Sequence, residues 1–125
     1  QKRIIRILFN LPFTSSCKMK MIENNLLNVY QINSLLVSIF MYKYDNHMLP
    51  SSFDNLFTKL SHVHSHDVRS LLCFRSDFAR TTLKTFSIKC FGPRLYSSIP
   101  ITISSLKSIS LFKKSLKSYI LQLDS

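Results

Sequence analysis

The sequence predicts a mainly α-helical fold of about five helices with a small antiparallel pair of β-strands, and an α+β fold is the alternative. Three observations lead to this prediction. Apolar residues recur at helical spacing in residues 28–42 and again in residues 109–123. Apolar and polar residues alternate in residues 86–91, which is typical of a strand. A length of 125 residues, of which 46% are hydrophobic, is typical of one domain with a modest core.

Three helices are expected at the start of the chain. Residues 1–9 place isoleucine, leucine and phenylalanine at helical spacing, and we expect them to be the end of a helix that begins before Gln1, in a longer protein. Residues 19–27 predict a short helix. Residues 28–42 predict a long helix, whose apolar arc is wide enough for burial on most of its circumference.

The middle of the chain predicts a short helix, a loop and the strand pair. Either of the two serines after Pro50 is expected to cap a short helix. Residues 61–70 are polar and predict a loop. Residues 71–74 and 86–91 predict the two strands, and the Gly-Pro pair directly after the second one predicts a turn.

The last predicted helix has the clearest pattern. Between Ile109 and Leu123 the main apolar residues fall within an arc of about 100° at 3.6 residues per turn, with lysines to one side. The face that contains Phe112 and Leu116 is expected to pack on the 28–42 helix. We therefore expect one domain over residues 1–125, with four parts. They are the end of a preceding helix (residues 1–10), a helical core (11–60), a basic loop with the strand pair (61–94) and an amphipathic helix (95–125).

The composition is strongly basic. Lys and Arg number 17 against 6 Asp and Glu, for a formal charge of +11 at pH 7. The positive charge lies in three blocks, residues 1–20, 69–94 and 95–125, around a nearly neutral middle. So few carboxylates leave little room for a carboxylate-built active site, and the charge predicts a polyanionic partner. The single glycine, Gly92, excludes the Gly-rich phosphate-binding loops.

The lysines and arginines of these blocks are the predicted contacts to RNA or DNA phosphates. A face that serves only solubility mixes both signs of charge, whereas these blocks contain almost no acids. The predicted contacts are Lys2, Arg3, Arg6, Arg69, Arg75, Arg80, Lys84, Lys89, Arg94, Lys113, Lys114 and Lys117. Those from 75 to 94 are preferred, because an exposed aromatic ring among them could stack on a single-stranded base. Most of the neighbouring rings are expected in the core, since this chain has no Trp; they are Phe74, Phe78, Phe86, Phe91 and Tyr96.

Other kinds of site have less support in the sequence. His62, His64 and His66 alternate and could bind zinc with Cys73 or Cys90, but no Cys-x-x-Cys pair accompanies them, so a solvated loop is favoured. The Ser-His-Asp run at 65–67 has its members adjacent, which is the wrong geometry for a catalytic triad. We expect no catalytic residue, metal, cofactor or small-molecule substrate.

The chain also predicts its compartment. An odd number of cysteines at wide spacing is no disulfide framework, so we expect a reducing compartment, nuclear or cytoplasmic. Residues 24–42 carry no formal charge, but seven of them are Asn, Gln or Ser, which is too polar for a membrane span. The last helix could lie on a membrane surface, but this would leave the other basic blocks unexplained, and a membrane partner is not expected.

Several short motifs follow one another in an order that is shared with a known family. They are Gln1–Ile7; Phe40–Tyr44 with Leu49, Pro50, Phe53 and Phe57; His66 with Arg69; Gly92–Tyr96 with Ile99 and Pro100; and Phe112–Leu121. In these motifs the chain resembles the C-terminal region of reverse transcriptases from non-LTR retrotransposons of the jockey-like, endonuclease-bearing kind, downstream of the polymerase core. Val68 stands where the family usually has Thr, and Tyr96-Ser97-Ser98 replaces Trp-Asn-Ser.

The resemblance implies an accessory nucleic-acid-binding region of a retroelement RNA-directed DNA polymerase, which grips RNA template or target DNA. Its further partner would be the polymerase core upstream in the parent chain. That core would hold two metal ions with paired aspartates, whereas the aspartates here are isolated in sequence, so the enzyme would be the parent protein and not this chain. The alternative is a structural or protein-interaction domain, or a non-functional retroelement remnant.

Overall fold

The computed structural model describes residues 1–60 and 74–123. The described part is mainly helical, as predicted, and it contains isolated β-bridge residues but no sheet. Its seven α-helices are α1 Lys2–Leu8, α2 Lys18–Glu23, α3 Val29–Asp45, α4 Thr82–Thr85, α5 Ile88–Ser97, α6 Ile101–Ser104 and α7 Ile109–Leu123, and a 3-10 turn forms at Ser51–Phe53. Instead of the predicted short helix after Pro50 there is only this turn.

The long helix α3 begins at a capping box. The Asn28 side chain accepts a hydrogen bond from Gln31 N–H at 2.9 Å, and the Gln31 side chain accepts one from Asn28 N–H at 2.7 Å. Both bonds satisfy amide groups that have no partner inside the helix. The predicted helix is therefore confirmed, and its end lies at Asp45, three residues beyond the prediction.

The buried side of α3 is narrower than the sequence predicted. Ser38, Met41 and Tyr42 are buried, whereas Val29 and Leu36 are exposed. The small Ser38 lies at the centre of the buried side, where its hydroxyl donates to the Ser34 carbonyl oxygen at 2.8 Å. Larger apolar residues on either side of it, Leu35 and Ile39, are partly buried against the main core.

Helix α7 packs on α3, as predicted. Phe112 and Leu116 are buried, and the rings of Phe112 and Tyr42 stack with their centroids 4.2 Å apart. The Tyr42 hydroxyl donates a hydrogen bond to the Leu106 carbonyl oxygen at 2.5 Å, which ties the segment before α7 to α3. The main core therefore lies between α3, α5 and α7.

The prediction of a strand at residues 86–91 is wrong. Phe86 follows α4, Ser87 is the N-cap of α5, and the helix continues to Ser97. Six residues are too few to separate a period of two from a period of 3.6. The Gly-Pro pair lies inside α5 and forms no turn. Of the other predicted strand only Phe74 is described, and it forms an isolated antiparallel bridge with Lys59.

Helices α1 and α2 form a smaller second cluster around Ile5, Cys17 and Met21. The Gln1 side chain joins this cluster to the start of α3. Its amide group donates to the Leu27 carbonyl oxygen at 2.7 Å, and its oxygen accepts from Val29 N–H at 3.1 Å. In the described part, no helix has the length and apolar character that crossing a membrane requires.

Candidate nucleic-acid interface

The structure describes eleven of the twelve predicted phosphate contacts. Ten of the eleven are exposed, and the other, Arg6, is half-buried. Arg69 lies outside the described residues. The predicted contacts are therefore at the surface wherever the structure describes them.

The described carboxylates leave these cations unpaired. Within residues 1–60 and 74–123 the ion pairs are Lys20–Glu23, with 2.7 Å between the charged atoms, and Lys59–Asp45, at 2.8 Å. Both lysines lie outside the predicted contacts. The described acids thus neutralise other lysines, and the predicted contacts keep their full charge for an anionic partner.

Arg6 has an internal role. Its guanidinium donates to the Ser15 carbonyl oxygen at 3.3 and 3.4 Å, and it lies 5.3 Å from the centre of the Phe13 ring. These contacts hold the loop between α1 and α2 against α1. Of the first basic block, Lys2 and Arg3 are therefore more available to a ligand than Arg6.

Pro93 positions the second basic block. Because proline has no N–H, it cannot donate to the Lys89 carbonyl oxygen four residues earlier in α5. That oxygen instead accepts a hydrogen bond from Asp77 N–H at 3.3 Å. The Ser76 hydroxyl also donates to the Cys90 carbonyl oxygen at 3.0 Å, and the Cys90 thiol donates to the Asp77 carbonyl oxygen at 3.3 Å. These bonds hold Ser76 and Asp77 against the first turn of α5. We call residues 75–81 the strap.

The strap, α4 and α5 together form what we call the 75–94 surface. It carries five exposed cations, Arg75, Arg80, Lys84, Lys89 and Arg94, and one acidic residue, Asp77. Arg75 lies close to the start of α5, because the next residue, Ser76, is bonded to Cys90. The backbone of Arg75 is also held by the segment before residue 60, since its backbone N–H donates to the Thr58 carbonyl oxygen at 2.8 Å.

The structure separates the five aromatic residues of this region. Phe74 and Tyr96 are buried in the main core, and Phe91 is half-buried. In contrast, Phe78 is 79% exposed and Phe86 is 69% exposed. The expectation that most of these rings are core residues holds for Phe74 and Tyr96 but not for Phe78 and Phe86.

The third basic block lies on α7. Lys113, Lys114 and Lys117 are exposed and share an arc of about 100° on the helix surface at 3.6 residues per turn. Two exposed lysines were missed by the sequence prediction, Lys18 at the start of α2 and Lys107 before α7. Both belong to the same basic blocks, so the charge pattern was a sufficient signal to include them.

A large cleft in the described part lies elsewhere. It has a volume of about 810 Å³, and Asp45, Lys59 and Phe74 are among the residues that line it. None of the eleven described phosphate contacts lines it. Asp45 there pairs with Lys59 and also accepts a hydrogen bond from the Tyr96 hydroxyl at 3.4 Å. Asp45, at the end of α3, is thus joined to Lys59 by an ion pair and to α5 by the Tyr96 hydroxyl.

Tyr96 makes the stability of the protein decrease with pH in the alkaline range. Burial raises the pKa of Tyr96 above its usual value of about 10, and the negative charge and hydrogen bond of Asp45 raise this pKa further. Above about pH 10 the unfolded chain loses this proton while the folded chain keeps it, so the free energy of unfolding falls as the pH rises. We expect Tyr96→Phe to remove this part of the decline. Denaturation of both proteins between about pH 8 and 11 tests this, and parallel pH curves would contradict it.

The metal and hydrolase alternatives lie mostly outside the described residues. This applies to His62, His64, His66 and Cys73, and to the Ser-His-Asp run. Cys17 and Cys90 are buried free thiols. Among the described residues, no three His, Cys, Asp or Glu side chains form a group that could hold a metal ion.

Comparisons with known protein families, with curated protein sequences and with solved structures find no match to this chain. The functional argument therefore depends on the residues themselves.

Proposed function

We propose that this chain is an accessory nucleic-acid-binding region of a retroelement RNA-directed DNA polymerase, which grips RNA template or target DNA and has no catalytic residues of its own. The main support is the charge arrangement. Ten of the predicted contacts are exposed, Arg6 is half-buried, and none of the eleven forms an ion pair within the described part of the chain. The order of the short motifs supports the polymerase as the parent protein, with its core as the further partner.

The proposed interaction is electrostatic. Each lysine or arginine that reaches a phosphate releases a condensed counterion, and this release supplies the free energy of binding. Such contacts position a nucleic acid without reading its sequence. The region would thus hold the substrate, while the upstream core of the parent protein would carry out the polymerisation.

We expect the affinity for RNA and DNA to fall steeply with salt. Between about 50 and 200 mM salt, the logarithm of the binding constant should fall by several units per unit of log salt concentration. Replacing the five cations of the 75–94 surface by glutamine should reduce this slope, by about 0.7 unit for each phosphate of a single strand that the variant no longer neutralises. Fluorescence anisotropy of a labelled oligonucleotide measures both quantities.

The matched control is Lys20→Gln. This lysine is already paired with Glu23, so its replacement should leave the slope nearly unchanged. The triple α7 variant, with glutamine at Lys113, Lys114 and Lys117, shows whether the third block contributes. A wild-type affinity that is independent of salt would refute the proposal. The parent protein is tested separately, because the coding sequence before Gln1 should encode a polymerase core with paired aspartates.

A structural or protein-interaction domain, or a remnant of one, is the second candidate. It is supported by exposed apolar residues that phosphate binding does not explain. These are Ile4, Ile7 and Leu8 on α1, and Val29, Ile32 and Leu36 on α3. This candidate predicts no nucleic-acid binding at physiological salt in the wild type, so the same anisotropy measurement separates the two.

A further inference from the structure

We propose that the 75–94 surface binds single-stranded nucleic acid, with Phe78 and Phe86 as platforms on which two bases stack. This inference rests on the proposed function and names the class of substrate that this surface takes. It follows from three features of the described residues: two exposed rings, the exposed cations of the same segment, and the hydrogen bonds that join the strap to α5.

The exposure of the two rings distinguishes them from the other rings of the region. The chain places Phe57, Phe74 and Phe112 in its core, where each of them has an aromatic neighbour within about 6 Å. Phe78 remains 79% exposed, and Phe86 is 69% exposed with its ring centroid 6.5 Å from that of Phe91. Both rings thus have accessible faces at the protein surface.

The hydrogen bonds of the strap bring the two rings to the same end of α5. Phe78 follows Asp77, whose N–H and carbonyl groups are bound to Lys89 and Cys90 in the first turn of α5. Phe86 lies between α4 and α5, one residue before the N-cap Ser87. The rings are therefore attached to positions that the backbone holds, so little ordering is needed when a base stacks on them.

The surrounding charge identifies the ligand class. Arg75, Arg80, Lys84 and Lys89 are exposed in the same segment as the two rings, and their charge is complementary to a phosphate backbone. An apolar protein partner would not use these cations. The exposed apolar residues near the start of α3 suit such a partner better, because the residues around them carry no charge. A single strand offers both phosphates and free base faces, whereas a duplex has its bases stacked inside. Rings beside cations therefore favour the single strand.

The test is the double variant Phe78→Ser, Phe86→Ser, measured with a mixed-sequence strand of about 16 nucleotides and with its duplex. We expect the affinity for the single strand to fall at least about 5-fold for each ring, because base stacking on an aromatic ring is worth that much. The affinity for the duplex and the salt slope should stay the same. A strand that carries 2-aminopurine should also change its fluorescence less when it binds this double variant than when it binds the wild type.

Leu83→Ser is the matched control. Leu83 is 88% exposed on α4, within the same surface, but it has no aromatic face, so its replacement should leave the single-strand affinity unchanged. Far-UV circular dichroism verifies that all variants fold. If the wild type shows salt-dependent binding but the double variant binds the single strand as well as the wild type does, the inference is wrong and the proposed function stands. An equal loss for strand and duplex would also overturn the inference. If the wild type binds neither, the proposed function itself fails.

Discussion

Phe112→Ala is expected to lower the free energy of unfolding by about 3–5 kcal/mol. Phe112 is fully buried, and its ring stacks on Tyr42 at the contact between α7 and α3. Removing the ring takes away its burial and leaves a cavity that the surrounding helices fill only in part. A loss of this size is a large part of the total stability of a small domain.

Urea denaturation followed by circular dichroism measures this loss. Leu111→Ala is the control, because Leu111 lies next to Phe112 on α7 but is 56% exposed, and its replacement should change the stability much less. A loss below about 1 kcal/mol for Phe112→Ala would show that α7 does not pack on α3 as described.

Gly92→Val is expected to destabilise the fold by about 1–3 kcal/mol, although valine is the better helix former. A Cβ atom at position 92 would lie 2.9 Å from the Met41 sulfur, which is closer than real Cβ contacts come. Met41 is fully buried, so its side chain can make room only by shifting against other core residues. Glycine therefore allows the close approach of α5 to α3 here, and a branched side chain at position 92 would displace the Met41 side chain.

The comparison with Gly92→Ala and Met41→Ala tests this explanation. Alanine adds only the Cβ atom and gains about 1 kcal/mol in helix propensity, so Gly92→Ala should cost less than Gly92→Val. Met41→Ala removes the side chain that blocks the position. The double variant Met41→Ala, Gly92→Val should therefore cost less than the sum of the two single changes. Additive costs would contradict the steric explanation.

Much of the helical structure could be predicted because it depends on local patterns. The periodicity of α3 and α7 repeats over four turns or more, and Asn28 with Gln31 supplies the start of α3 within a single turn. The region of residues 86–97 could not be predicted in this way. Its short apolar alternation fits either structure, and a helix with an internal Gly-Pro pair forms only because packing on α3 and the strap compensate for it.

The candidate interface, too, could be predicted only in part from the sequence. The cations could be named from the sequence, because lysines and arginines without nearby acids remain at the surface in almost any fold. The exposure of the rings could not, since Phe74 and Phe78 are only four residues apart and differ fully in burial. The partial burial of Arg6 could not be predicted from the sequence either, because it depends on a contact with Phe13 in the loop after α1.

By itself, the sequence determined that this protein is mainly helical, that its charge is +11, and that its basic residues lie in three blocks. These properties depend on composition and on spacing over a few turns. The tertiary structure decided which side of α3 is buried, that Gly92 lies against Met41, and which phenylalanines remain exposed. Those properties depend on contacts between residues that are distant in the chain, and only the packed fold brings these residues together.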